Sequence, residues 1–200
     1  MRTQAPPLLP LLRSRAQGDL LALLYLHPEQ EFSLTRAAAL IGTSTKAVHV
    51  EAGRLVTSGI VLDRKVGQTR LLRAAVDSML ARPLTELLSM TYGPLPVLTE
   101  LLTPVAAIRE AYIYGSWAAR HAGEPGVAPN DIDVLVVGDV DLDALDDIAR
   151  VAEARLHRPV AMRRIRASTW DAPDPKDPFL ASVRARPLVE LPLVAAREGS

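Results

Sequence analysis

The sequence predicts an α+β protein in two parts, three helices with a β-hairpin followed by a small mixed-sheet domain, over 200 residues. Three observations carry this. Apolar residues recur at helical spacing in three short runs before Gly59, and a hairpin-like segment turning at Gly67 follows them. Beyond Pro104 the order reads strand, helix, strand, helix, strand. Charge divides with the pattern: residues 1–82 hold 11 Lys and Arg against 6 Asp and Glu, and residues 83–200 hold 12 against 17. A basic front suits a polyanion, and an acidic back suits a metal or simple solubility.

Composition narrows the chemistry. There is no cysteine, which excludes disulfides, thiolate zinc sites and cysteine nucleophiles, so any metal must be held by oxygen or imidazole. Met1 to Leu12, broken at Pro6, Pro7 and Pro10, reads as a frayed arm and not a signal peptide. Leucine-rich stretches elsewhere are interrupted well short of the roughly 20 apolar residues that span a bilayer. A cytoplasmic protein without membrane contact is expected.

The first helix runs from Gln17 through Leu20, Leu21, Leu23, Leu24 and Leu26 to Pro28. Ser33 is placed to cap a second, over Leu34 to Ile41, with Gly42 as its stop. A third opens at Thr43 or Ser44, turns Val48, Ala52 and Leu55 inward, and ends at Gly59. Its outer face carries Ser44, Thr45, Lys46, His49 and Arg54. The hairpin pairs 60–62 with 69–72 around Asp63 to Gly67, and Arg64, Lys65, Gln68 and Arg70 cluster at its tip. Two short helices joined at a glycine, the second exposing small polar and basic side chains, suit a major groove about 12 Å wide. The hairpin then reaches phosphates or a minor groove. The plainer alternative is a trihelical interaction domain whose basic residues are merely solvated. His49 has no second histidine at ligand spacing, so it reads as a groove-facing polar residue and not a metal ligand.

Residues 83–104 read as a helical linker between a domain at 13–82 and another at 105–200. A helix around Ala75 to Ala81 is expected to break at Arg82-Pro83, with helices over Leu84 to Met90 and Leu95 to Leu102 beyond it. These apolar pieces suit packing between domains or across a dimer.

In the back half, Ala111 to Tyr114 reads as a buried strand, Gly115-Ser116 follows it, and a short helix runs from Trp117 to Arg120. Glycine lets a backbone approach phosphate closely, and serine adds a donor. After a polar loop, Asp131 to Val137 reads as a strand entered through carboxylates. Alternation puts Asp131 and Asp133 on one face, where two carboxylates can share Mg2+ or Mn2+ and bridge to a nucleotide triphosphate. The alternative is a turn at Asn130-Asp131 with Asp133 on a solvated edge. The next elements are a helix over Leu142 to Leu156 and a strand over Pro159 to Ile165. Trp170 and Phe179 either anchor the proline-rich segment around them in the core or cover a cleft.

Two resemblances attach to these residues. Gln17 to Arg73 resembles the winged helix-turn-helix domains of ArsR-like and MarR-like bacterial regulators, which implies double-stranded DNA as partner and a homodimer on two half-sites. Val105 to Val160, through Gly115-Ser116, Arg120 and Asp131-x-Asp133, resembles the minimal DNA polymerase beta-like nucleotidyltransferases. That resemblance implies that Gly115, Ser116 and Arg120 hold nucleotide, and that Asp131 and Asp133 are the catalytic, metal-binding pair. Its third carboxylate, expected on the 159–165 strand, is missing: that strand has no acid, and Arg163, Arg164 and Arg166 stand in its neighbourhood. Asp171, Asp174 or Asp177 would have to fold back to supply it. The reading is therefore a DNA-binding transcriptional regulator with a catalytically degenerate nucleotide-binding domain. The alternative is an active transferase of nucleoside monophosphate to protein, RNA or a small molecule, in a toxin-antitoxin setting.

Overall fold

The computed structural model describes residues 12–193; most of the expected N-terminal arm lies outside them. The chain divides into two compact units, Met1–Gly93 and Pro94–Ser200, each with its own core. The architecture is α+β throughout.

In the first unit the caps expected at Ser33 and Ser44 form, and α1 starts two residues before Gln17, behind a cap the sequence reading did not name. Ser14 caps α1 (Arg15–Tyr25), Ser33 caps α2 (Leu34–Leu40) and Ser44 caps α3 (Thr45–Thr57), each hydroxyl accepting from a backbone N–H three residues on. Such a cap contributes about 1 kcal/mol over alanine. Between α2 and α3 the chain passes through Gly42 at φ 66°, a left-handed conformation that costs a side-chain-bearing residue more than glycine. The inward faces (Leu20, Leu24, Ala37, Val48 and Ala52) are fully buried, and burying a leucine of this kind is worth about 2 kcal/mol.

Strand β1 (Phe32–Ser33), β2 (Val61–Val66) and β3 (Thr69–Ala74) form a sheet in the order β1-β3-β2. The hairpin is longer than the sequence predicts. Pairing continues to Val66 opposite Thr69, so Asp63 to Val66 are strand and the turn is Gly67-Gln68 alone. Val61, Leu72 and Ala74 are buried against the helices while the rest of β2 is exposed, which makes the hairpin a wing. Tyr25 ties its base by donating to the carbonyl of Ile60 at 2.7 Å.

A second expectation fails at residues 75–81. Ala74 and Ala75 are buried at the end of β3, and Asp77-Ser78 then make consecutive turns. The helix begins only at Ala81 and runs through Pro83 as α4 (Ala81–Tyr92). Proline is accepted there because the first turn of a helix has no intrahelical partner for its N–H groups. Leu88 of α4 is fully buried, and Tyr92 packs so tightly that a Cβ at Gly18 of α1 would lie 2.3 Å from its hydroxyl.

The second unit opens with α5 (Pro94–Leu102), so the segment expected to be a linker holds one helix of each unit. Then follow β4 (Ile108–Tyr114), α6 (Gly115–His121), β5 (Ile132–Gly138), α7 (Leu142–Leu156) and β6 (Val160–Ile165). Short helices α8 (Ala167–Asp171) and α9 (Pro178–Arg184) lead to β7 (Val189–Glu190). The sheet order is β6-β5-β4-β7, with β5 and β6 parallel and the other pairs antiparallel. Helices cover both faces, which is why β5 is continuously apolar after Asp133. One face packs Ile132, Val134 and Val136 with α5 and α7; the other packs Leu135 and Ile165 with α9. Among the described residues no helix is long and apolar enough to cross a membrane.

Candidate functional site

On the first unit, α3 exposes Thr45, Lys46, His49 and Arg54 along one side, as its spacing predicts. Ser44 is exposed too, but its hydroxyl is engaged as the cap, 3.1 Å from the Ala47 N–H. His49, Val50, Gly53, Arg54, Thr57 and Ser58 line a shallow depression toward the C-terminal end of the helix. At the wing, Lys65 and Gln68 are exposed.

The arginines behave differently from the lysines. Arg64 grips Glu31 through two nitrogens, Nε at 2.8 and 3.0 Å and Nη2 as well. Those hydrogen bonds hold the Glu31 carboxyl below its ordinary value against a smaller opposing effect of desolvation. Arg70 lies 2.6 Å from Asp63. Arg54 lies 3.2 Å from Glu51, a buried carboxylate that also accepts from the Ser14 hydroxyl at 3.1 Å. Sequence reasoning missed two cations of this surface. Arg73 is exposed on β3 and close enough to Glu31 to help depress its carboxyl, and Arg36 of α2 sits 5.3 Å over the Phe32 ring. Strand alternation would have found Arg73, since Leu72 and Ala74 on either side of it point inward.

On the second unit, Gly115 is the residue the site turns on. Its φ is +72°, and a Cβ there would fall 2.4 Å from Oδ2 of Asp133. Glycine is needed twice over, by backbone conformation and by the approach of the carboxylate. Helix α6 begins at Gly115 itself, two residues earlier than expected, and Ser116 is exposed on it. Asp133 faces Tyr114 across the β4–β5 pair. Asp131 lies one residue before β5, exposed, while Ile132 between them is fully buried. Burial raises the Asp133 carboxyl above its usual range, and the charge of Asp131 adds to this. Arg120 is on the last turn of α6, 3.9 Å from Glu124 and packed so closely under Gly126 that a Cβ there would strike its guanidinium.

Opposite Asp133 on β6 is Ala161, and two residues on, on the same face, is Arg163. Its guanidinium lies 3.5 Å from the centroid of Phe179, whose ring meets Tyr114 edge-on at 5.8 Å. The Tyr114 hydroxyl is raised by burial, pushed further by Asp133 and pulled back by Arg163, so it feels both charges. Arg164 faces the other way and donates to the Val140 carbonyl at 2.6 Å.

The three later aspartates are engaged elsewhere. Asp171 accepts from both Nη atoms of Arg109 at 2.8 and 2.7 Å, Asp177 caps α9, and Asp174 accepts from the Lys176 N–H. Trp170 donates to Glu110 at 3.0 Å and stacks near Tyr112, so this segment is anchored on the sheet. Among the described residues no three His, Asp or Glu side chains are grouped to hold a metal ion. Asp131 and Asp133 are two oxygen ligand groups without a third grouped beside them among the described residues, fewer than a two-ion centre uses.

No family model matches the sequence, and no curated protein matches it. Among solved structures, the chain is similar to the heme sensor protein PefR from Streptococcus agalactiae in complex with heme. Identity there is 18% and the TM-score 0.32, over 46% of this chain and 58% of that one. PefR in complex with heme and carbon monoxide gives 18% identity and a TM-score of 0.33, over 46% and 59%. In both cases the chain covers less than two thirds of the known structure's length.

Proposed function

We propose that this protein is a DNA-binding transcriptional regulator whose second unit binds a nucleotide as effector. The observation that carries the reading is the surface of the first unit. A capped helix displays Thr45, Lys46 and His49, and the adjoining hairpin displays Lys65 and Gln68. The helix enters the major groove of double-stranded DNA, Lys46 and His49 meet base edges, and the wing lies on the backbone. Two copies read two half-sites. In the second unit, Gly115 pressed against Asp133 supports a nucleotide-sized ligand beside the Gly115-Ser116 turn.

A mobility-shift titration against the DNA upstream of the protein's own coding region, with and without ATP or GTP, tests this. Sequence-selective binding modulated by nucleotide is expected; absence of selective binding in every condition overturns the reading. The same Gly115–Asp133 approach is the observation favouring a transferase. Incubation with labelled nucleoside triphosphates tests that reading, which requires labelling that disappears in an Asp131→Ala, Asp133→Ala double variant.

A further inference from the structure

We propose that the second unit binds the polyphosphate of a nucleotide without a divalent cation, the guanidinium of Arg163 supplying the positive charge. This rests on the nucleotide reading above and goes beyond it by naming how the charge is met.

The argument begins with register. Asp133 on β5 has Tyr114 beside it on β4 and Ala161 beside it on β6. Alternation then puts Arg163 on the same face, one strand repeat further along. Ala161 is small and exposed, which leaves room next to the Asp133 carboxylate. Among the described residues Arg163 has no carboxylate within 4 Å, although Asp133 lies on the same face of the neighbouring strand. An aromatic face holds it: Phe179 lies under the guanidinium, and Tyr114 buttresses Phe179 edge-on. A cation–π contact fixes the plane of the group without using its N–H donors, which leaves the fork open for bidentate contact with phosphate.

The neighbouring arginines lack this freedom. Arg164 is committed to the Val140 carbonyl, and Arg109 to Asp171 and Glu110. Arg184 also lies over a ring, that of Trp170, but it donates to the Trp170 carbonyl as well, whereas Arg163 is positioned by packing with its fork left for a ligand. With Arg163 supplying positive charge on this face and only two carboxylates beside it, the polyphosphate needs no divalent ion there. With phosphates on the Arg163 side, Asp131 and Asp133 accept hydrogen bonds from the sugar hydroxyls, and Ser116 donates from the Gly115 turn.

The test is equilibrium binding of ATP and of GTP to the full chain by calorimetry, once in EDTA and once in excess magnesium. The expected result is an affinity in EDTA at least equal to that in magnesium. Arg163→Ala should lower it by about tenfold or more, and Arg163→Lys by less, since the charge survives but the fork is lost. Asp143→Asn, exposed on α7 and on the opposite face of the sheet, should leave the EDTA affinity unchanged. Binding abolished by EDTA and restored by magnesium overturns the inference while leaving the nucleotide reading intact. So does unchanged affinity in Arg163→Ala of native circular dichroism. Failure to bind ATP or GTP in either condition overturns the nucleotide reading itself. The EDTA comparison uses the unmodified protein, so the outcome does not depend on any variant folding.

Discussion

The α3 and wing surface of the first unit and the Asp133 face of the second hold their arginines differently. On the wing and α3, Arg54, Arg64 and Arg70 each have a carboxylate within 3.2 Å, whereas the exposed Lys46 and Lys65 make no such pair among the described residues. On the sheet face of the second unit, Arg163 is held by a ring and has no acid within ion-pair distance among the described residues. An arginine clamped by an acid positions the surface around it, and its charge is largely neutralised. One held by an aromatic ring keeps its charge for a ligand. The sequence shows the same residue type in both places, and only its partner distinguishes the roles.

The comparison can be broken most sharply at Gly115. Alanine there must adopt a left-handed backbone and displace the Asp133 carboxylate, so Gly115→Ala should lose about 1–3 kcal/mol of stability in urea denaturation and lose ATP and GTP binding. A variant as stable as the parent would show that the approach of Asp133 imposes no constraint. The lysines come next. Lys46→Ala and Lys65→Ala should each flatten the dependence of log affinity on log salt by about 1, and Lys46→Ala should also broaden sequence choice. Arg64→Ala should change the slope less, because Glu31 already neutralises that guanidinium. Equal slopes for all three variants would erase the distinction between clamped and unclamped cations. Its converse is Glu31→Gln: with the clamp loosened, DNA binding should strengthen and the salt slope steepen by up to about 1.

The smallest effect is in pH. The Asp133 carboxyl is raised in the folded protein, so between its ordinary value of 3.8 and the raised one the folded state holds more protons than the unfolded state. Stability therefore falls as pH rises through that window, and the penalty persists above it. Asp133→Asn should be slightly more stable than the parent at neutral pH, with the gain vanishing below the window. Asp171 has the opposite sign. The hydrogen bonds from Arg109 lower its carboxyl, so the stability it contributes is present above the ordinary value and is lost as pH falls through the folded one. Thermal melts of the two Asn variants across this range should diverge in opposite directions.

Local features of this chain were legible without coordinates because their causes are local. Ser33 and Ser44 announce the starts of α2 and α3, Leu142 to Leu156 reads as a helix, and Asp131 to Val137 reads as a strand entered through carboxylates. The errors fell where local signals compete. Pro83 looks like a break until the helix is seen to start two residues before it, and Asp63 to Val66 look like a loop until Thr69 to Arg73 pair with them. The charge division and the absence of cysteine were likewise properties of the chain itself. Tertiary structure decided the pairings: Arg64 with Glu31 across 33 residues, Arg109 with Asp171 across 62, and Gly115 against Asp133. Which carboxylate meets which arginine depends on strand register and on how helices pack across the sheet. Those are set by burial summed over a whole unit, and no spacing within a short segment encodes them.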